Sequence, residues 1–194
     1  MSRLIFVCGP HCGGKTSILK ELYSRGIIES RGSEIGKDLY YKRRFQTEAQ
    51  NHDFEIEVAT RELDRDIHYY SNVTGLIGVE TWHPGNLAYA AVRNPDSIPE
   101  LIETAKKSPF IKDAIGIWLR IPRNVIEERT LTFKNNKEWA GEFYSKIDSQ
   151  FELMLDKLGL FSNTFCIDAN RSKEEVFSEV SRLILPFQTE VIKA

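Results

Sequence analysis

Cysteine is scarce in this sequence, long apolar runs are missing, and neither sign of charge is in excess. The chain has 194 residues and three cysteines, an odd number that argues against the disulfide framework of a small secreted domain. No apolar stretch approaches the roughly 18 residues of a membrane-spanning helix, and the N-terminal one is too brief for a signal peptide. We therefore expect a cytoplasmic protein with no membrane partner.

The charge balance argues against a protein whose main function is to bind nucleic acid through its phosphates. A net charge of -2 gives no general attraction for a phosphate backbone. The basic cluster Lys42-Arg43-Arg44 is more typical of a solvated turn. His11 and Cys12 are adjacent, but no second Cys/His group at metal-ligand spacing completes a zinc site. The length and the 41% hydrophobic content predict one domain spanning residues 1–194.

Short apolar runs alternate with helical patterns along the chain. Strands are predicted at 4–8, 76–79, 114–121 and 164–167, and helices at 15–25, 54–70, 100–107, 124–129, 139–158 and 173–184. Residues 33–41 are expected to be a strand or a loop. This alternation predicts an α/β fold with a mostly parallel five-stranded sheet covered on both faces.

Two finer predictions concern burial. The stripe on the helix at 54–70 is predicted to face the core through Ile56, Ala59, Leu63, Ile67 and Tyr70. Two cysteines that stand in apolar runs, Cys8 and Cys166, are both expected to be buried.

The segment from Gly9 to Thr16 matches the phosphate-loop pattern G-x-x-x-x-G-K-[ST] in full. Glycines let successive backbone N–H groups point at a phosphate, and the helix that follows directs its positive dipole end there. Lys15 is expected to contact the β- and γ-phosphates of ATP, and the Thr16 hydroxyl to ligate Mg²⁺. The predicted nucleotide-binding residues are Gly9, Pro10, His11, Cys12, Gly13, Gly14, Lys15, Thr16 and Ser17.

A regulatory GTPase is disfavoured by two missing motifs. The Asp-x-x-Gly segment at Asp113 to Gly116 comes before a strand, whereas a GTPase needs it after one. Asn136-Lys137-Glu138-Trp139 lacks the Asp that would read guanine. An ATP-dependent kinase is the better interpretation of the loop.

The chain also resembles the thymidylate kinases over nearly its whole length. Leu87-Ala88-Tyr89 stands where that family has a Leu-Ala-Tyr, WLRIPRNVIEERT is similar to the strand, turn and Arg that open its lid, and FCIDANRSKEEVF to its last strand and adenine-side loop. The resemblance implies a three-layer α/β/α P-loop NTPase fold, a small lid near 130–138, and transfer of the ATP γ-phosphoryl with Mg²⁺. It implies roles for Arg129 at the lid and for Arg171 beside adenine, and the family often forms homodimers.

One departure from the family bears on the acceptor. The family's strand ends in Asp-Arg, whereas this chain has Glu80-Thr81 and so lacks the Arg that would meet an acceptor phosphate. Glu80 resembles the acidic residue of deoxynucleoside kinases, which orients or deprotonates a hydroxyl, and it is also a candidate for holding Mg²⁺ through water. The acceptor stays open between a nucleotide, a nucleoside and a modified base within DNA. A regulatory ATP-binding module without turnover is the alternative of another class.

Four further residues are candidates for the acceptor side. Arg61 and Arg65 lie one turn apart on the helix before Glu80, although Glu62, Asp64 and Asp66 beside them equally predict a solvated charged face. Trp82 and His83 follow Glu80 and are candidates for stacking on a planar base; a core position for Trp82 is the alternative.

Overall fold

The computed structural model describes the backbone of residues 2–43, 48–130 and 136–193, and the side chains of these residues except 41–43, 48–51 and 189–193. The strands are β1 (Ser2–Cys8), β2 (Ser30–Gly32), β3 (Gly75–Glu80), β4 (Ile115–Arg120) and β5 (Thr164–Asp168). The helices are α1 (Lys15–Ser24), α2 (Ile35–Arg43), α3 (Glu48–Asn72), α4 (Trp82–Arg93), α5 (Ile98–Ala105), α6 (Arg123–Arg129), α7 (Lys137–Lys157) and α8 (Lys173–Lys193).

The five strands form one sheet in the order β2-β3-β1-β4-β5, with every described pair parallel. Val7 of β1 lies opposite Glu80 of β3, and Gly32 of β2 lies opposite Val79 of β3. Parallel strands end at a common edge, where ligands bind in open α/β sheets. The residues that follow Cys8, Gly32 and Glu80 are thereby brought together.

Helices cover both faces of the sheet, as continuous apolar strands require. The side chains from Leu4 to Cys8 are fully buried. Helices α1 and α8 pack together on one face, and α4 and α7 pack together on the other. A second, small apolar cluster of Leu39, Phe54 and Val58, with Ile35 packed against it, joins α2 to α3. The predicted α/β fold with a parallel five-stranded sheet is confirmed.

The expectation of a strand or loop at 33–41 is wrong, because this segment contains most of helix α2. Its described core-facing side chains are only Ile35 and Leu39, one turn apart on the small cluster. Two apolar positions are too few to produce a visible helical period. The short strand β2 precedes the helix.

The apolar stripe predicted for α3 is also wrong at its C-terminal end. Ile67 and Tyr70 are 50% and 57% exposed, whereas Glu62 and Asp66 are buried at 1% and 0%. This face of the helix is turned inward because the carboxylates of Glu62 and Asp66 have polar partners there. The expectation of a solvated charged face fails for these two residues and is met by Asp64, which is exposed.

Burial of the two cysteines differs. Cys8 is buried in the central strand, as predicted, whereas Cys166 is exposed because β5 is the edge of the sheet. Most of the predicted lid, at 131–135, and the Lys42-Arg43-Arg44 side chains lie outside the described residues. Among the described helices, none has both the length and the apolar character needed to cross a membrane.

Candidate active site

The phosphate loop connects β1 to α1 at the carboxyl edge of the sheet. Gly9 has φ +136°, and a Cβ at this position would lie 2.2 Å from the backbone oxygen of Leu119 on β4. Only glycine fits this conformation and this close approach. The loop closes on itself through a hydrogen bond from the Gly13 N–H to the Pro10 carbonyl, 3.2 Å long. Helix α1 begins directly after Gly14, so its free N–H groups face the loop.

Lys15 and Thr16 occupy the first turn of α1. Lys15 is buried, and its Nζ donates hydrogen bonds to the carbonyls of Gly9 (3.1 Å) and Pro10 (3.0 Å), which keeps the ammonium inside the loop. The Thr16 hydroxyl lies 2.8 Å from both Oε1 and Oε2 of Glu80. This contact links the loop to the neighbouring strand β3.

Glu80 ends β3 and is only 7% exposed. Burial raises the pKa of its carboxyl, Lys15 opposes the rise, and the neighbouring carboxylate of Glu34 adds to it. A carboxylate with a raised pKa is a better acceptor for a hydroxyl proton at neutral pH. An oxygen pair of this kind, hydroxyl and carboxylate, is also the donor set that Mg²⁺ prefers.

Glu34 is the functional candidate that the sequence analysis missed. It follows β2 by two residues, and its Oε1 accepts a hydrogen bond of 3.1 Å from the hydroxyl of Thr81, the residue after Glu80. Two acidic side chains therefore meet at one point of the sheet edge. The available signal was a Glu after a strand, which stayed hidden because the three-residue strand β2 was not recognised.

The junction between β3 and α4 is strained. Thr81 and Trp82 have φ +68° and +55°, a conformation that is an outlier for a β-branched residue and uncommon for a bulky one. Trp82 and His83 are 0% and 2% exposed, and the Trp82 ring packs against Phe6 of the central strand. The core position given as the alternative for Trp82 describes both side chains, and a role for either in an acceptor pocket stays a prediction.

The two predicted arginines of α3 have different surroundings. Arg61 is half exposed and pairs with Glu57 on the same helix at 2.7 Å. Arg65 is 11% exposed, lies 3.6 Å from Glu62 and 3.5 Å from Asp66, and donates to the carbonyl of Ser33, just before Glu34. The structure brings Arg65 to the sheet edge as a support for the β2 exit, with its charge already balanced.

Arg93 at the end of α4 is balanced in the same way. Its Nε and Nη2 donate to the two carboxylate oxygens of Glu55 at 2.9 and 3.0 Å. Glu55 is buried, and burial raises the pKa of its carboxyl although Arg93 opposes this. The guanidinium lies over the rings of Tyr89 and Phe54. Both Arg65 and Arg93 therefore have carboxylate partners within the protein.

Three rings form a wall beside the acidic pair. His11 of the phosphate loop stacks on Tyr144 of α7 with centroids 5.1 Å apart and planes 19° apart. Tyr89 of α4 meets Tyr144 edge-on at 6.4 Å. Burial raises the pKa of Tyr89, and both Glu34 and Glu80 add to the rise, which places the phenol near the two carboxylates.

Two nearby cations affect the pKa of His11. Its pKa is lowered, first by burial and then by Lys15, with Glu34 opposing and Lys37 of α2 adding to the fall. The imidazole is thus favoured in its neutral form beside the phosphate loop. Lys37 is exposed and is a cation of α2 on this side of the site.

Arg129, Arg171 and Cys12 lie on the side of β4 and β5. Arg129 donates from Nη1 to the carbonyl of Ala169, 3.3 Å away, which joins the end of α6 to the loop after β5. Cys12 has φ +62°, and its thiol lies 3.3 Å from the carbonyl of Arg129. Arg171 donates to the Asp168 carbonyl and pairs with Glu179. The phosphate loop, the end of α6 and the loop after β5 are therefore connected.

Comparison with known proteins gives likeness in structure alone. No family model and no curated protein sequence matches the chain. The NadR protein, solved in complex with NR, superposes with a TM-score of 0.70 at 16% identity, over 97% of this chain and 50% of NadR. Deoxyadenosine kinase from M. mycoides with bound dATP gives 0.67 at 14% identity over 93% and 97%. YorR from Bacillus subtilis, in complex with phosphorylated GDP, gives 0.58 at 16% identity over 96% and 98%.

The chain has a P-loop kinase fold. It spans half the length of the NadR chain it matches. The identities are too low to carry over any neighbour's substrate or site residues. The geometry of this chain's own residues must therefore supply the functional argument.

Proposed function

We propose that this protein is an ATP-dependent kinase that transfers the γ-phosphoryl group to a hydroxyl of a nucleoside-like small molecule. The single observation that carries the proposal is the pair of carboxylates, Glu34 and Glu80, beside the loop residues Lys15 and Thr16. The P-loop kinase fold supports the phosphate donor, and the acidic pair supports the class of acceptor.

The charges beside the loop favour a hydroxyl over a phosphate as the acceptor. A phosphate acceptor would bring its own negative charge against two carboxylates and would need free guanidinium groups to offset the repulsion. Arg65 and Arg93 are bound to Glu62, Asp66 and Glu55. A neutral hydroxyl, in contrast, gains from a nearby proton acceptor.

The residues divide the reaction between them. The hydroxyl oxygen attacks the γ-phosphorus, the bond to the β-phosphate oxygen of ADP breaks, and the hydroxyl proton passes to the Glu34–Glu80 pair. Lys15 and the loop N–H groups stabilise the negative charge of the phosphates. Thr16 and Glu80 would hold Mg²⁺, and the ion when bound would offset further phosphate charge. A hydroxyl and a carboxylate fit Mg²⁺, an ion that keeps water and nucleotide oxygens as its other ligands.

The aromatic wall supports a planar group on the acceptor. His11, Tyr89 and Tyr144 lie beside the acidic pair. A neutral imidazole or a phenol ring can stack on a nucleobase, because stacking needs no particular pattern of hydrogen bonds. The proposed substrate is therefore a nucleoside whose sugar hydroxyl points to the carboxylates.

A phosphate acceptor of the thymidylate type is the second candidate, favoured by one observation. Lys37 of α2 is near enough to His11 to lower its pKa, and this exposed cation is available to meet a monophosphate. A regulatory module without turnover is the third outcome of the same experiment.

The test is ADP release from Mg-ATP with a panel of acceptors, with Lys15→Ala as the blank. The panel contains free nucleosides, nucleoside monophosphates and DNA. Stimulation by nucleosides is the expected result. Stimulation by monophosphates alone would replace the hydroxyl acceptor with the phosphate acceptor, and ATP binding without stimulation by any acceptor would leave the regulatory module.

A further inference from the structure

Apart from Glu55 near its start, helix α3 has a group of three ionisable side chains with little exposure close to the sheet edge. Glu62 and Asp66 are at most 1% exposed, and Arg65 is 11% exposed. Burial raises the pKa of the Glu62 carboxyl, with Arg65 and His83 opposing. Buried charged groups are weak contributors to stability, because desolvation offsets their attraction. Their arrangement therefore calls for another explanation.

Arg65 connects this face to the exit of β2. Its Nη1 donates to the carbonyl of Ser33 at 3.3 Å, and Ser33 directly precedes Glu34. The chain passes close by, since a Cβ on Gly32 would lie 3.3 Å from the Arg65 Cδ. Glu62 and Asp66 hold the other guanidinium nitrogen, Nη2, at 3.6 and 3.5 Å.

Asp66 connects the same face to the exit of β3. Its Oδ2 accepts hydrogen bonds from the Trp82 Nε1 at 2.8 Å and the Ser108 hydroxyl at 2.6 Å, and the His83 Nε2 lies 3.3 Å away. Burial alone would raise the pKa of the Asp66 carboxyl, but His83, Arg65 and Ser108 outweigh it and hold the pKa below its ordinary value.

These contacts close a ring around the two carboxylates. Helix α3 holds Ser33 through Arg65 and holds Trp82 through Asp66, while Thr81 donates to Glu34 across the gap. Trp82 and Thr81 keep their positive φ values inside this ring. Backbone strain of this kind persists only where the surroundings enforce it.

We infer that Arg65 and Asp66 are positioning residues for phosphoryl transfer, which fix the separation and orientation of Glu34 and Glu80 by anchoring the two strand exits to one helix. The inference rests on the proposed function. Misplacing a reacting group by about 1 Å lowers a rate by about a hundredfold, so even a small release of either exit affects turnover. ATP binding depends on the phosphate loop and stays as it is.

The experiment compares Arg65→Lys with Arg25→Lys. Both changes keep the positive charge, and Arg25 is an exposed arginine that pairs with Glu21 at 2.7 Å, at the end of α1 away from the phosphate loop. Lysine at 65 cannot hold Ser33 and both carboxylates with one planar fork. Steady-state kinetics with the active acceptor would be measured, with kcat divided by the number of ATP sites from calorimetry. We expect Arg65→Lys to lower kcat per site about tenfold or more with the KM for ATP unchanged within about twofold, and Arg25→Lys to change neither.

A second variant tests the same point if the first folds poorly. The double variant with Glu62→Gln and Arg65→Met removes the guanidinium together with one of its buried carboxylate partners. Glu62 is therefore not left buried and charged without Arg65. We expect the same loss of kcat per ATP site. If the wild type is active and both variants keep the full kcat per ATP site, the inference is overturned and the proposed function stands. Any lower total activity would then come from a smaller amount of folded protein. A wild type without acceptor-dependent turnover would overturn the proposed function, and the inference with it.

Discussion

The two sides of the site are built in different ways. The donor side is one continuous segment, Gly9 to Ser17, in which the loop, its lysine and its hydroxyl are neighbours in sequence. The proposed acceptor side brings Glu34, Arg65 and Glu80 from three separate parts of the chain, across 46 positions between the first and the last. A continuous segment can be recognised as a motif, whereas an assembled site exists only once the strand order β2-β3-β1-β4-β5 is known.

The largest expected effect tests the donor side. Lys15→Ala removes the ammonium that lies inside the loop, so the phosphate charge in the transition state loses a main source of stabilisation. We expect acceptor-dependent turnover to fall by about a thousandfold or more with the melting temperature nearly unchanged. The measurement is ADP release at saturating acceptor. Retained full turnover would show that the loop has another use.

The next effect tests the acceptor side. Glu80→Gln and Glu34→Gln each remove one proton acceptor, and we expect each to lower kcat by about 10²- to 10⁴-fold for a hydroxyl acceptor. For a phosphate acceptor, already an oxyanion, the loss would be small. The measurement is kcat for each variant with a nucleoside and with its monophosphate. Unchanged rates for both variants would return the two carboxylates to a purely structural role.

Most of the fold could be predicted from the sequence because short continuous apolar runs mark the buried strands. Four strands were predicted, since a strand buried on both faces reads as a continuous apolar run, and so were six of the eight described α-helices, all but α2 and α4. The strand β2 has only three residues, Ser30 to Gly32, with no apolar side chain among them. Its exit and Glu34 could not be found from pattern alone.

The prediction of which α3 side chains are buried was wrong for a different reason. The apolar spacing predicted that Ile67 and Tyr70 face inward, but Asp66 has three polar partners in the core, the side chains of Trp82, Ser108 and His83. These partners are distant in sequence, so no local pattern indicates them. The donor-side residues Lys15 and Thr16 needed no distant partner to be recognised. Their roles in phosphoryl transfer stay predictions.

A third prediction compares two glycines with positive φ. Gly9→Ala places a Cβ 2.2 Å from the Leu119 carbonyl, whereas at Gly159, with φ +70°, nothing lies within 4 Å of the added atom. We expect Gly9→Ala to lower the free energy of unfolding by about 3 kcal/mol, from strain and overpacking together, and to weaken ATP binding. Gly159→Ala should lower it by about 1 kcal/mol. Urea unfolding and nucleotide titration measure both. Equal losses would mean that the contact with β4 does not shape the loop.

The smallest effect concerns two of the buried carboxylates of α3, Glu62 and Asp66, whose pKa values are shifted in opposite directions. The folded pKa of Glu62 lies above its ordinary value of 4.5, so its contribution to stability is full below that pH and declines as pH rises through the folded value. The folded pKa of Asp66 lies below its ordinary value of 3.8, so its contribution is present above that pH and is lost as pH falls.

These signs predict different pH profiles for two conservative variants. Glu62→Gln should remove a decline in the free energy of unfolding above pH 4.5. Asp66→Asn should instead flatten the loss on the acid side, below pH 3.8. Urea unfolding from pH 3 to pH 8, a range of about five units, gives both profiles. Parallel profiles for the two variants would contradict the arrangement, because burial prevails in the pKa of Glu62 whereas the contacts with His83, Arg65 and Ser108 prevail in the pKa of Asp66.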